Sequence, residues 1–228
     1  MKRILLFLSL TVLVLAHYCA AQVADTCLGD VVHERLDTVS VNKNLPRLIL
    51  RTTIRDACCS IDVYEEGKPH PLQRILAEFD GEFPSDGVRF ADANFDGYQD
   101  LLLFYNAGNT TNEDYAFWLF NPKSKRFVYN DEFTQAVGCN PTINEHDQSI
   151  ETGGETGCVG MCFELDTYEV HEGRLLLVER LSQELDDTQT ETSPPIFVRT
   201  LERLQSGKMR VIARVKGTNE EIEEKANW

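Results

Sequence analysis

The stretch FADANFDGYQDLLLFY, residues 90–105, changes character at its middle. Oxygen-bearing side chains at Asp92, Asn94, Asp96 and Asp100 surround Gly97, and the apolar run Leu101–Tyr105 follows without a break. The order D-x-N-x-D-G-x-x-D matches the opening of a calcium loop. Side-chain oxygens sit at positions one, three and five, glycine makes the sharp turn at six, Tyr98 offers its carbonyl at seven, and Asp100 stands at nine. The twelfth position, where an EF-hand carries a bidentate Glu, is Leu103. An apolar run of strand length, with VRF ahead of the loop, makes this a strand-to-strand connection and not a helix-loop-helix. The competing interpretation is an Asp/Asn/Gly-rich turn that holds no metal. A catalytic ion needs open coordination positions beside a base or nucleophile, and no Ser/His/Asp or Cys/His arrangement stands near this loop. A structural Ca2+ is therefore expected, held by Asp92, Asn94, Asp96, the Tyr98 carbonyl and Asp100.

Outward from the loop, strand and turn signals recur and helical periodicity is scarce. LPRLILRTTIRD reads as a strand, and CCSIDVYEEGKPHPLQRILAEF as a hairpin with Glu66-Gly67 at its tip. YAFWLFNPKSKRFVYNDEF reads as two aromatic-rich strands joined through residues 121–125; TYEVHEGRLLLVERL turns at Glu172-Gly173, and FVRTLERLQSGKMRVIARV at Ser206-Gly207. The fold class expected is all-β: an antiparallel meander of hairpins, β-propeller-like or sandwich-like, in a single domain over residues 22–228. The Gly-rich stretch NPTINEHDQSIETGGETGCVG reads as a surface loop between sheets. Residues 182–195 read as a flexible acidic loop, and 216–228 as a polar tail or short helix.

The first residues have the form of a secretory signal peptide: Lys2-Arg3, an apolar core too short to span a bilayer, and small residues ending at Ala21. Lipidation at Cys19 is the alternative, disfavoured by Tyr18. An exported protein, periplasmic or extracellular, with no membrane span is expected. The formal net charge is −15, and loss of Lys2 and Arg3 with the leader makes it more negative. Such a surface repels nucleic acid and favours cationic partners or divalent metal, or merely maintains solubility. Six cysteines remain after the leader: Cys27, Cys58, Cys59, Cys139, Cys158 and Cys162. An even number in an oxidising compartment points to three disulfides of unassigned pairing. Neighbouring Cys58 and Cys59 face opposite sides of a strand and so reach different partners.

From about Leu72 to Arg180 the ordered features resemble a family of bacterial exported calcium-loop proteins. The likeness rests on D-x-N-x-D-G-[YF]-x-D-L, a Gly/Asn-rich loop, YAFWLFNPKSKRFVYN, the NPTI stretch and the TYEVHEGRLLLV hairpin. The same loop occurs in FG-GAP and VCBS-type propeller blades. The resemblance implies a β-propeller-like fold, bound calcium and, from characterised relatives, inhibition of lysozyme-like peptidoglycan hydrolases, including immunity proteins. The S-G-x-x-Y-like inhibitory loop of some such inhibitors is replaced here by ETGGETGCVGMCFELDTY, so only the calcium ligands carry over.

The function expected is a non-enzymatic inhibitor of a cationic lysozyme-like hydrolase, with Glu164 and Tyr168 as candidate contacts near a loop stiffened through Cys158 or Cys162. The bland alternative makes both residues ordinary members of a solvated strand face. A second reading is a calcium-dependent adhesion or glycan-binding module, with Trp118 and Tyr115 stacking on sugar. A third is a hydrolase using an acid pair that no local pattern nominates.

Overall fold

The computed structural model describes residues 27, 30–107, 112–186, 188 and 194–226. The leader expected over residues 1–21 lies outside the described residues, as does part of the acidic loop. The chain divides into two compact units, one ending at Phe83 and one beginning at Pro84.

The first unit is a four-stranded antiparallel sheet in the order β1 (Val31–Val39), β2 (Leu48–Arg55), β3 (Cys58–Glu65), β4 (Gln73–Glu78). Period-two alternation builds its core face. Leu50 stands opposite Val63 and Thr52 opposite Ile61, which itself faces Ile75, and all five are buried. The intervening residues carry charge: Asp62 lies between Arg51 and Arg74, and Arg74 donates to it twice, at 2.6 and 2.8 Å.

The second unit contains two sheets. One runs β5 (Val88–Ala91), β6 (Asp100–Ala107), β7 (Glu113–Asn121), β8 (Arg126–Tyr129). The other has six strands in the order β14-β13-β12-β11-β10-β9, spanning β9 (Thr142–Asn144), β10 (Ser149–Gly157), β11 (Cys162–His171), β12 (Arg174–Leu185), β13 (Phe197–Gln205) and β14 (Lys208–Gly217). Every strand pairing is antiparallel, as a hairpin meander requires. Leu101, Leu102, Leu103 and Phe104 are all buried. Their unbroken hydrophobicity is that of a strand covered on both faces. Phe117 packs on Phe133 and Phe120 on Phe127 at centroid separations of 5.9 and 5.4 Å.

The hairpins expected at Glu66-Gly67, residues 121–125, Glu172-Gly173 and Ser206-Gly207 are present. Elsewhere the structure departs from expectation. Residues 140–160 are not one long loop but contain β9, the whole of β10 and a 3-10 turn, Cys158–Gly160. Gly153 explains the misleading composition: a Cβ there would stand 2.0 Å from the Glu164 carbonyl oxygen, so glycine serves close strand contact. The acidic segment begins as strand, since β12 continues to Leu185. Helix α1 (Asp131–Val137) follows β8, its Asn130 cap accepting from the Phe133 N–H at 3.0 Å. The C-terminal segment is not a solvated tail throughout. Thr218 and Glu221 form a capping box for α2 (Asn219–Lys225), and Ile222 is buried.

Of the three disulfides expected, the structure forms two, Cys27–Cys58 and Cys158–Cys162. Cys59 and Cys139 are thiols. Cys58 and Cys59 do face opposite ways, but Cys59 enters the apolar core of the sheet instead of meeting a second sulfur.

Candidate functional site

Two turns of the second unit concentrate the chemistry. The first, between β5 and β6, is folded by its own carboxylates. Asp92 accepts the Asp96 and Gly97 N–H groups at 3.0 and 2.8 Å, and Asn94 Oδ1 accepts Asp96 N–H at 3.2 Å. Asp96 accepts the Tyr98 N–H at 3.0 Å and the Asn94 amide at 3.1 Å. Gly97 has φ +85° with open space where a Cβ would lie, so backbone conformation and not crowding selects glycine. Tyr98 stacks on Phe120 at 5.7 Å and lays the end of the loop on the sheet.

Asp100 closes the loop from inside. It is fully buried and accepts Ala93 N–H at 3.0 Å and Phe120 N–H at 2.7 Å, tying the turn to the neighbouring strand β7. Burial pushes its carboxyl up to about 7, against the lowering effect of those two N–H groups. Asp92 is raised as well, by burial first and then by the negative charges of Asp96 and Glu145. The outer side of the loop shares a cleft of about 400 Å³ with Gln148, Val170, Glu172 and Gly173. Among the described residues no group of three or more His, Cys, Asp or Glu is arranged to hold a metal ion. What the loop offers is a purely oxygen donor set that includes an amide and a main-chain carbonyl. Each carboxylate oxygen that receives one N–H keeps a second acceptor site. Hard-cation chemistry suits such a set; redox or thiolate chemistry does not.

The second turn joins β10 to β11. Gly157, Cys158, Val159 and Gly160 all have positive φ, at 136°, 55°, 56° and 82°, and Cys158 is bonded to Cys162. A β-branched residue in the left-handed region is a real conformational outlier. Val159 is also 98% exposed, so no packing of its side chain repays the strain. The base of the turn is anchored. Cys162, Phe197 and Ile222 form an apolar cluster joined by Cys158, Met161, Val215 and Ala226. Gln183 donates to the Met161 carbonyl at 2.7 Å and to Asn219 at 2.9 Å. Arg199 donates to Gln183 at 2.9 Å, pairs with Glu223 and lies 5.5 Å from the Phe163 ring centroid.

Glu164 and Tyr168 both fall on β11 and converge on residues the sequence did not single out. Arg180 donates to both oxygens of Asp166, at 2.7 and 2.6 Å, and reaches Glu164 at 3.4 Å. Burial raises the half-buried Tyr168 hydroxyl, with Asp166 adding to it. Asp166 and Arg180 are cross-strand partners in register, a relation that exists only once β11 and β12 pair. Of the proposed sugar-stacking pair, Tyr115 is buried and donates its hydroxyl to Glu113 at 2.8 Å, so it is core. Trp118 is half-buried, edge-on to Tyr129 at 5.5 Å.

Neither a protein-family model nor a curated protein matches the chain. A solved structure, that of a Xanthomonas type IV secretion system related protein, is similar with a TM-score of 0.50. The two are 18% identical over 79% of this chain and 99% of the other. At that identity the likeness is one of fold. Among the described residues no helix is long and apolar enough to cross a membrane.

Proposed function

We propose that the chain is an exported, calcium-stabilised binding protein, without catalytic activity, that inhibits a cationic lysozyme-like peptidoglycan hydrolase. The observation that carries this reading is the β10–β11 turn: a bare valine held out on a disulfide-closed loop whose base is fixed to the core. A rigid projecting element binds without the cost of ordering a loop, which is how protein inhibitors occupy clefts. The net charge of −15 supplies long-range attraction to a cationic enzyme. Export agrees with two disulfides. The resemblance of residues 72–180 to an exported calcium-loop family, whose characterised relatives include lysozyme inhibitors, suggests the target class.

Calcium belongs to the same reading. Asp92, Asn94, Asp96 and Asp100 would hold it through side-chain oxygens and Tyr98 through its carbonyl. The ion would neutralise carboxylates that burial and mutual repulsion disfavour as anions. The chain's own part is to fold the loop on Gly97 and to fix it to β7 through Asp100. The adhesion alternative is weakened because Tyr115 is not available to stack on sugar.

The test is cell-wall lysis by lysozymes of several structural types, each mixed with the purified mature protein in calcium and in chelator. Stoichiometric loss of lysis by one type is expected. No effect on any of them, together with binding to a glycan array, would replace the inhibitor with the adhesion module.

A further inference from the structure

The strand β14 is at odds with the rest of this acidic chain. Lys208, Arg210, Arg214 and Lys216 fall within it and no acid does, in a protein of formal charge −15. It is the outermost strand of the six-stranded sheet, so one row of its N–H and C=O groups faces no strand of that sheet. It is long for an edge, with no proline and with Val211 and Ile212 exposed at 56% and 42%. Its pairing with β13 places Arg210 directly opposite Arg203, and like charges so placed oppose folding. Arg203 has Glu179 on its other side, in contact at 2.5 Å, which leaves the repulsion with Arg210 only partly answered. Lys216 is answered by Asp186 at 2.5 Å. Of the four acids of α2, Glu221 is engaged in its cap and Glu223 with Arg199.

We propose that the free edge of β14 receives an extended acidic strand from a partner protein, which adds to the six-stranded sheet by main-chain pairing. Cations on an edge ordinarily serve to keep sheets apart. That role accounts for the charges but not for the length of the strand or for the two bare aliphatic side chains beside them. Charge also decides the occupant. A second copy would bring Lys208, Arg210, Arg214 and Lys216 against the same set, whereas a strand carrying acids on both faces meets them: the bulge opposite Leu201 and Glu202 turns Lys208 and Arg210 to one side of the sheet and Arg214 and Lys216 to the other. Nine residues of such a strand span about 30 Å at ~3.4 Å each, enough to run nearly the length of the ten-residue β14. Backbone pairing supplies the affinity and the flanking cations the selectivity. This surface is distinct from the β10–β11 turn and does not depend on what that turn binds.

The probe is a capped nine-residue peptide of Glu and Val with Glu on both faces of the extended strand, titrated into the full mature chain and followed by amide NMR. Its control carries Lys in place of every Glu. The expected result is saturable shifts confined to β14 and slowed exchange at alternate amides, with no response to the Lys peptide. Arg210→Glu combined with Arg214→Glu should weaken binding about tenfold or more, and salt at about 0.5 M should weaken it similarly. Both residues are exposed; if the double variant fails to fold, Arg210→Gln alone should still weaken binding severalfold. Equal binding of the Lys peptide, shifts outside β14, or no shift at all overturns the proposal. Self-association through β14 without peptide binding overturns it in favour of a second copy.

Discussion

The loops over residues 92–100 and 157–162 are both tight turns with left-handed residues, and they are fastened by different forces. In the first, Phe95 and Gly97 take positive φ and five carboxylate or amide acceptors gather backbone N–H groups around Asp92, Asp96 and Asp100. In the second, Cys158 and Val159 take positive φ and a covalent bond to Cys162 closes the ring. Electrostatic fastening leaves a concentration of negative charge that a cation can relieve. Covalent fastening leaves nothing to relieve and answers only to a reductant. On the function proposed, a cation completes the first loop and the second is presented to a partner.

The comparison breaks most easily at Asp100. Asp100→Ala removes the acceptor for two buried N–H groups, those of Ala93 and Phe120, and empties core space. The expected loss is about 3 kcal/mol, or a fall of about 10 °C in Tm by thermal scan. A loss under about 1 kcal/mol would mean that the loop is not fastened through this residue.

Cys158→Ser with Cys162→Ser should cost less, about 2 kcal/mol on the loop-entropy account of so short a ring. It should also remove the positive φ of Val159 from the populated ensemble, which NMR couplings would report. Val159→Ser, by contrast, should leave the unfolding free energy within about 0.5 kcal/mol of the parent because the side chain touches almost nothing.

Thiol chemistry gives the smallest effect and sharpens the contrast between buried and usable sulfur. Burial pushes the Cys59 thiol up to about 12. Cys139 is raised as well, by burial and then by Asp114, but it is only half-buried. At pH 8 a maleimide should label Cys139 slowly and Cys59 not at all until the chain unfolds, as mass spectrometry would show. Labelling of Cys59 in the native protein would contradict its place in the core.

The two loops also differ in how legible they were. The strand-to-strand turn after β5 was visible residue by residue because what folds it is local: the Asp and Asn spacing, glycine and the apolar strand after it all fall within sixteen residues. The hairpins were legible for the same reason, through turn residues between β-rich runs. What escaped was non-local. β10 looked like a loop because Gly153 is there to let β11 approach. The C-terminal segment reads as either a tail or a short helix, because the one buried residue that holds it as a helix to the core, Ile222, is a non-local contact. The Asp166–Arg180 pair and the Arg199–Gln183 network arise from strand register, which no short stretch encodes. The disulfide count failed for a similar reason. An even number of cysteines says nothing of whether a given thiol faces another sulfur or a hydrophobic core.

Amide hydrogen exchange of the mature protein, in calcium and in chelator, reads both loops in one experiment. Calcium should slow exchange at Ala93, Asp96, Gly97 and Tyr98 and leave Val159–Met161 unchanged. Equal exchange at residues 93–98 in the two conditions would contradict the account, leaving the loop a hydrogen-bonded turn with no need of a cation.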